Sequence, residues 1–241
     1  MEKEFGFTLL TRNRRGVALT SNGEAVLRHI RLILDSEKKL REEVSLINCL
    51  CKGTVKLGAV NSICVNYFPD IIRTFNKNFP FIDVHIYQGG YRDVEIKVAD
   101  GSLDLGFVSY PTFEDVPSTV LFNDRILCIT PPGFHPSNDG FVTVDDIQKM
   151  DFLLSRNSYD RSTMEFIREK KLLANLKHDI STDIVTITLV ENGMGISIIP
   201  ELVLQNQNHK CSIYPLKEFA YRKIAIATPP NQMLSPSAKN L

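Results

Sequence analysis

Apolar residues recur at alternating steps of four and three between residues 24 and 50, which predicts one long helix. The repeating positions are Val26, Ile30, Ile33, Leu40, Val44 and Ile47, with polar Glu37 in one slot of the series. Because this stripe is narrow and the remaining surface is charged, we expect the helix to be a dimerisation element that pairs with a second copy. A helix lying on its own domain is the alternative interpretation. At its front, Ser21 and Glu24 fit a capping box, and Thr20 competes as the cap.

Beyond Gly53 the pattern changes to short apolar strands that alternate with helical segments. In a first block, strands are predicted at 54–60, 82–87, 103–108 and 121–130, with helices at 67–78 and 94–99. In a second block, strands are predicted at 152–155, 178–182, 195–200 and 221–228, with helices at 164–171 and 184–191. This order is typical of mostly parallel sheets with helices on their faces. Two such units predict an α/β fold with two lobes and a ligand cleft at the strand ends.

The composition excludes disordered and membrane-spanning proteins. With 43% hydrophobic and 23% charged residues among 241, the chain can bury substantial cores. No apolar run approaches the roughly 20 residues of a membrane span, and residues 1–5 lack the layout of a signal peptide. We therefore expect a cytoplasmic protein. The formal net charge of zero argues against a protein that coats nucleic acid, but it is compatible with a local basic element.

The reactive side chains show no catalytic or metal-binding pattern along the chain. The cysteines number five, and an odd count without export indicates reduced thiols. Cys49 and Cys51 have the wrong spacing for a zinc knuckle, and a redox switch is the alternative to inert packing. The histidines are far apart in sequence: His29, His85, His135, His178 and His209. Neither a nucleophile elbow nor a phosphate-binding glycine loop is found, so we expect a binding protein without catalytic residues, cofactor or metal.

Five segments in a fixed order carry a resemblance to a known family. They are LTRNRRGVALT at 10–20, the helix from Ser21, GAVNS at 58–62 with Pro69, DGSLDLG at 100–106, and LVENGMGISIIP at 189–200. Together they resemble LysR-type transcription regulators, in which the first segment is the wing of the DNA-binding head and the second is the linker helix. Leu10 replaces the usual aromatic residue of the wing, and Ser21 replaces the usual proline.

Two of these segments are expected to have structural roles. Gly193 and Gly195 leave a helix and enter a strand, which indicates a helix end and a tight turn rather than a dinucleotide fingerprint. Asp104 is expected to connect a turn to a strand.

The resemblance implies a two-lobed, periplasmic-binding-protein-like effector domain, preceded by a winged-helix remnant and a long linker helix. Residues 1–20 would form the recognition-helix tail and the wing, and residues 21–52 the linker and dimerisation helix. Residues 53–128 with 215–241 would form the first effector-binding lobe, and residues 129–214 the second. The family's helix-turn-helix precedes the point where this sequence begins, so we expect weak or no specific DNA binding from the chain alone. A misassigned start, a decayed gene and an expressed fragment are the open explanations.

The resemblance also implies which residues contact ligands. Effector contacts are expected from Val60, Asn61, Ser62, Gly90, Tyr91, Ser109, Ser155, Arg156, Asn157 and Ser158. Among these, Arg156 would pair with a carboxylate of an anionic effector, unless it is an ordinary exposed loop arginine. DNA contacts are expected from Arg12, Arg14 and Arg15, for which a solvated turn is the alternative.

The function implied is a homodimeric or homotetrameric transcription regulator that responds to a small-molecule effector and binds DNA when its head is complete. Effector binding would bias the closure of the lobes and move the paired wings by a population shift. A stand-alone cytoplasmic module that binds a ligand and dimerises without binding DNA is the first alternative. An enzyme that shares the two-lobed fold is the second.

Overall fold

The computed structural model describes residues 1–13, 16–47, 52–138, 140–155, 160–206, 208–230 and 233–241. The predicted contact residues Arg14, Arg15, Arg156, Asn157 and Ser158 lie outside these ranges. The elements up to the first long strand are α1 (Glu2–Phe5), β1 (Leu10–Asn13), β2 (Gly16–Leu19), α2 (Ser21–Ile47), β3 (Gly53–Ala59), α3 (Asn61–Asn66), α4 (Phe68–Asn78), β4 (Ile82–Gln88), α5 (Tyr91–Ala99), β5 (Leu105–Tyr110) and β6 (Ser118–Thr130). They are followed by α6 (Val144–Gln148), β7 (Phe152–Ser155), α7 (Arg161–Glu169), β8 (Leu176–Ile180), α8 (Asp183–Glu191), β9 (Ser197–Pro200), α9 (Glu201–Leu204), β10 (Ser212–Pro215), β11 (Tyr221–Ala227) and α10 (Pro236–Lys239).

The amino-terminal elements are a two-stranded hairpin and the expected long helix. Strands β1 and β2 pair antiparallel, with Leu10 opposite Leu19. The described part of α2 has 27 residues, which confirms the helix predicted from the heptad pattern. Thr20 is its cap, because Thr20 Oγ1 accepts a 2.9 Å hydrogen bond from the Gly23 backbone N–H. The capping box predicted for Ser21 and Glu24 is therefore wrong, since Ser21 is already the first helical residue.

The first lobe is built on a sheet with the strand order β4-β3-β5-β11-β6. Strand β3 pairs in parallel with both β4 and β5, as the alternation of strands and helices predicts. Strand β11 pairs antiparallel with β5 on one side and with β6 on the other. The last strand of the chain thus completes the sheet that the first strands begin.

The second lobe repeats this arrangement. Strand β7 pairs in parallel with β8, and a parallel bridge between Phe152 and Ile196 places β7 beside β9. Strands β9 and β10 pair antiparallel with the two sides of β6. Each lobe therefore contains three neighbouring strands that run parallel. The antiparallel strands of each sheet lie on the side that faces the other lobe.

Strand β6 belongs to both lobes. Its residues 118–125 pair with β11 in the first lobe, whereas residues 126–130 pair with β9 and β10 in the second. The chain returns to the first lobe through residues 216–220, where Ile126 N donates a 2.9 Å hydrogen bond to Ala220 O. The lobes are thus connected at adjacent points on two strands, which leaves a cleft between them. The predicted two-lobed α/β fold is confirmed.

Each lobe has its own apolar core. The first core contains Leu57 on β3, Ile63 on α3 and Phe68 on α4, all of them almost fully buried. The second contains Phe152 on β7 and Ile198 on β9, both inaccessible to solvent. Within the described residues, no helix is both long enough and apolar enough to cross a membrane.

The glycine segment after α8 confirms the predicted helix end. Gly193 has a φ of 78°, and its N–H donates to Val190 O at 3.0 Å while Met194 N donates to Leu189 O at 3.1 Å. These two bonds form a Schellman motif, which satisfies the last carbonyl groups of the helix. Gly195 has a φ of 150°, and a Cβ atom there would lie 2.4 Å from Asp151 O. Glycine is therefore required at Gly195 to let the chain pass β7.

Candidate functional site

A cavity of about 420 Å³ lies in the cleft between the lobes. It is lined by Val60, Asn61, Ser62, Gln88, Gly89, Gly90, Thr182, Asp183, Ile184 and Arg222. The volume is in the range of pockets that hold small metabolites. Both lobes contribute to it, because residues 60–90 belong to the first and residues 182–184 to the second.

Three strand ends meet at the cavity, and each is followed by a helix that starts there. Val60 follows β3 and caps α3, Gly90 follows β4 and caps α5, and Thr182 follows β8 and caps α8. Among the described residues, none of these three caps makes a side-chain hydrogen bond to its helix. The first backbone N–H groups of the helices therefore remain available to a ligand. Their partial positive charge favours an anionic group.

Asp183 is the acidic residue of the cavity wall. It is half-buried and is the first residue of α8. Its Oδ1 atom accepts a 2.5 Å hydrogen bond from the Ser155 hydroxyl, which is fully buried at the end of β7. This bond fixes the carboxylate between the ends of β7 and β8. The cavity thus offers an oxygen acceptor on the second lobe, opposite the helix starts of the first.

A buried arginine lies at the base of the cavity. Arg222 on β11 is inaccessible to solvent, and its guanidinium lies 2.6 Å from Asp124 Oδ2 on β6. Arg222 Nη1 donates to the Tyr91 hydroxyl at 2.8 Å, and Nη2 donates to Ser62 Oγ at 2.9 Å. The arginine therefore holds the beginnings of α3 and α5 against the two strands that connect the lobes.

The ionisation of this cluster follows from its burial. Burial raises the pKa of the Tyr91 phenol, and the charge of Arg222 opposes that rise. Burial also raises the pKa of the Asp124 carboxyl, which the neighbouring guanidinium again opposes. Asp160, the cap of α7 in the second lobe, has its pKa raised mainly by burial and is close enough to feel the charge of Arg222. The cluster is thus an electrostatic contact between the lobes.

The structure brings together only part of the predicted effector site. Val60, Asn61, Ser62 and Gly90 line the cavity, as expected for loops at strand ends. Tyr91, Ser109 and Ser155 are buried behind the wall instead of being part of it, because their side chains point into the lobes. Arg156, Asn157 and Ser158 lie outside the described residues. The role of all ten residues in ligand binding stays a prediction.

Sequence reasoning missed six residues of the wall. They are Gln88, Gly89, Thr182, Asp183, Ile184 and Arg222. The signal for Thr182 and Asp183 was present, since a polar Ser-Thr-Asp run follows a strand and begins a helix, as Asn61 and Ser62 do. For Arg222 the local signal is limited to its spacing of two residues from Ile224, which places both on one strand face. Its position at the cavity depends on a strand pairing between distant parts of the chain.

Helix α2 docks on the first lobe through polar side chains. Lys38 Nζ lies 3.3 Å from Asp104 Oδ2, and the same carboxylate oxygen accepts a 2.8 Å hydrogen bond from Lys56 N on β3. Glu42 is buried and accepts the Thr54 N–H at 3.2 Å. Asp104 therefore has the predicted structural role, and it also ties the effector domain to α2.

The apolar stripe of α2 points mostly away from the rest of the chain. Val26 and Ile30 are half-buried, whereas the exposed positions are Ile33 (68%), Leu40 (65%), Val44 (49%) and Ile47 (75%). Apolar side chains that are regularly spaced and exposed on a long helix are typical of a helix–helix interface. Dimerisation through these six positions stays a prediction.

The hairpin formed by β1 and β2 is exposed. Arg12 lies on β1 opposite Val17, with both side chains open to solvent. Its position on the hairpin fits the wing, and its contact with DNA stays a prediction. Arg14 and Arg15 fall between the strands, outside the described residues.

The comparisons with known proteins agree with this architecture. Residues 51–241 match the family described as LysR substrate binding domain. The transcriptional dual regulator GltC of Bacillus subtilis (strain 168) is 26% identical over 246 residues, which cover 100% of this chain and 82% of GltC. A full-length OxyR variant from Pseudomonas aeruginosa matches with a TM-score of 0.71 at 21% identity, covering 99% of this chain and 78% of OxyR.

A solved domain with a bound small molecule has the same fold. The effector binding domain of QuiR in complex with shikimate matches with a TM-score of 0.68 at 18% identity, covering 78% of this chain and 93% of that domain. At these identities the solved structures establish the fold, while the family match extends over more than half of the chain. The chain belongs to the LysR substrate-binding domain family.

Proposed function

We propose that this chain is the sensing and dimerising part of a LysR-type transcription regulator, and that its interlobe cavity binds a small anionic effector. The observation that carries the proposal is the meeting of three helix starts from two lobes at one cavity of about 420 Å³. Such a site binds only when both lobes contribute. Ligand binding therefore favours one relative position of the lobes.

The chemistry of the wall suggests the class of effector. The free N–H groups at the starts of α3 and α5 in the first lobe favour a carboxylate or another anionic group. The Asp183 carboxylate accepts hydrogen bonds from hydroxyl or ammonium groups elsewhere on the same molecule. Val60 and Ile184 add apolar contact. Shikimate, the molecule in the QuiR complex, also combines a carboxylate with hydroxyl groups.

Lobe closure reaches the dimer through the contacts of α2. Asp104 in the first lobe holds both β3 and Lys38 of α2, so movement of that lobe carries α2 with it. In a dimer paired along the apolar stripe of α2, this movement changes the separation of the two wings. The effector thus alters DNA binding by shifting the population of subunit arrangements, without catalysis, in the cytoplasm.

The experiment is a thermal-shift screen with carboxylates, amino acids and inorganic anions. The ligand that raises Tm most is then tested with three variants of the chain. Asn61→Ala removes a side chain of the first lobe's wall, and Asp183→Asn removes the charge from the second lobe's wall. Asn78→Ala, at the exposed end of α4, is the matched control. We expect both wall variants to lose at least half of the ligand-induced rise in Tm and the control to keep it. An equal rise in all four proteins would overturn the assignment of the cavity.

A further inference from the structure

Three potential metal ligands lie together on the second lobe, away from the interlobe cavity. A carboxylate oxygen of Glu191, a ring nitrogen of His209 and the sulfur of Cys211 all lie within 4.8 Å of one another. Glu191 and His209 are half-buried, and Cys211 is buried with 7% of its surface exposed. The set combines oxygen, nitrogen and sulfur donors, which are the ligand types that Zn²⁺ accepts.

The fold brings these residues together from two segments. Glu191 is the last residue of α8, whereas His209 and Cys211 precede β10. Lys210, between them, donates its backbone N–H to Glu191 Oε1 at 2.8 Å, which attaches the segment to the helix end. This bond occupies one oxygen of Glu191 and leaves Oε2 for a further ligand.

His209 is oriented by a backbone carbonyl. Its Nε2 atom lies 3.1 Å from Leu204 O. Because a carbonyl oxygen only accepts, Nε2 must carry the proton, and the lone pair of the neutral ring is then on Nδ1. A hydrogen bond from the second ring nitrogen to a carbonyl is the usual support of a metal-bound histidine, since it fixes the tautomer and the ring orientation.

We propose that Glu191, His209 and Cys211 form a zinc-binding site on the second lobe, with water in the fourth position. Zinc bonds of about 2.0–2.3 Å place tetrahedral ligand atoms roughly 3.5 Å apart. Because the three ligand atoms already lie within 4.8 Å of one another, only a small approach of the side chains is needed when the ion binds. His209 and Cys211 lie on the same short loop, which the hydrogen bond from Lys210 N to Glu191 already attaches to α8.

Zinc binding at this site is coupled to the release of a proton. A free thiol is mostly protonated at neutral pH, whereas the thiolate is the form that binds metal. The metal binds the thiolate, and the thiol proton passes to solvent. Charge balance supports the same step, because thiolate and carboxylate together neutralise a divalent cation.

The test uses the full chain with Cys49 and Cys51 replaced by serine, since those thiols could bind metal independently. Co²⁺ is the spectroscopic probe, because a cobalt–thiolate bond gives a charge-transfer band that oxygen and nitrogen ligands do not. Cys211→Ser removes the proposed ligand. Cys64→Ser is the control, since Cys64 is another free thiol that is shielded in part from solvent, and it lies on α3 of the first lobe, outside the proposed site.

We expect Co²⁺ to produce the thiolate band in the starting protein and in Cys64→Ser, and Zn²⁺ to displace it. The band should be lost in Cys211→Ser. Because that variant could fail to fold, His209→Gln and Glu191→Gln provide a second measurement: both keep the thiol and should weaken Zn²⁺ binding at least tenfold. The proposal is overturned if the starting protein shows no band, if the band survives in Cys211→Ser, or if both latter variants bind Zn²⁺ as tightly as the starting protein.

Discussion

The Arg222 guanidinium on β11 lies 2.6 Å from Asp124 Oδ2 on β6, and the two residues are direct cross-strand neighbours. Arg222 is fully buried, and Asp124 is 5% exposed. The carboxylate also accepts the Leu202 backbone N–H of the second lobe at 3.2 Å. This ion pair therefore connects the strands that join the lobes with the loops that line the cavity.

Replacing Arg222 with methionine should destabilise the protein strongly. The variant leaves the Asp124 carboxylate buried without its counter-charge, and removal of one partner of a buried pair costs about 3–5 kcal/mol. Ser62 and Tyr91 also lose their hydrogen-bond donor. Urea denaturation followed by circular dichroism measures the loss in the free energy of unfolding.

Arg125→Met is the matched control, on the next residue after Asp124. Arg125 is 55% exposed and forms a bidentate pair with Glu201, with bonds of 2.9 and 2.8 Å. An exposed pair contributes at most about 1 kcal/mol, so the free energy of unfolding of this variant should remain close to that of the wild type. Losses of the same size in both variants would contradict the importance of burial at Arg222.

The fold could be predicted largely because its signals are local. On β3, Val55 and Leu57 are buried while Lys56 between them is exposed, which is the alternation that identifies a strand. The turn at Gly193 and Gly195 was predictable for the same reason. The short strand β10 and the short helices α6 and α9 were missed, because four or five residues carry too little periodicity and these elements form on contacts with distant strands.

The candidate site was harder to predict because it depends on pairings over long distances in the chain. The loop at Val60 and Asn61 was found through the family resemblance and the clear strand before it, although the helix α3 that begins at Asn61 was not predicted. Arg222 lies on the same strand face as Ile224, which indicates burial, but only the β6–β11 pairing places it opposite Asp124. Ser155 was assigned to the wall because it ends β7, yet it is Asp183, its hydrogen-bond partner, that faces the cavity.

Val44→Glu on α2 should weaken dimerisation. In the proposed interface this position packs against the partner helix, where a buried and unpaired carboxylate is unfavourable. We expect the dissociation constant of the dimer to rise at least tenfold, which corresponds to about 1.4 kcal/mol. Sedimentation equilibrium over a range of protein concentrations measures this constant.

Val65→Glu provides a close control for the dimer experiment. Val65 lies on α3, and both valines are 49% exposed in the single chain, so the two substitutions change the surface equally. Val65→Glu should leave the dissociation constant unchanged. If Val44→Glu also leaves it unchanged, the apolar stripe of α2 is not the dimer interface.

Glu95 on α5 should make the free energy of unfolding depend on pH. Its carboxyl is fully buried, and Oε2 accepts the backbone N–H groups of Phe113 at 2.6 Å and Glu114 at 2.9 Å. Burial raises the pKa of Glu95, and the two backbone hydrogen bonds oppose that rise only in part. Between the ordinary and the raised pKa, the folded chain therefore holds a proton that the unfolded chain has released.

Because the folded state binds more protons in that range, the free energy of unfolding should fall as pH rises through it. Glu95→Gln removes the titrating group and keeps an acceptor oxygen, so its stability relative to the wild type should increase from about pH 4 to about pH 8. Glu95→Ala also lacks the acceptor and should be less stable than Glu95→Gln by about 1–3 kcal/mol at every pH. Both variants should show the same trend against the wild type in denaturation curves measured across this range. A relative stability of Glu95→Gln that stays constant or decreases with pH would show that burial does not raise the pKa of this carboxyl.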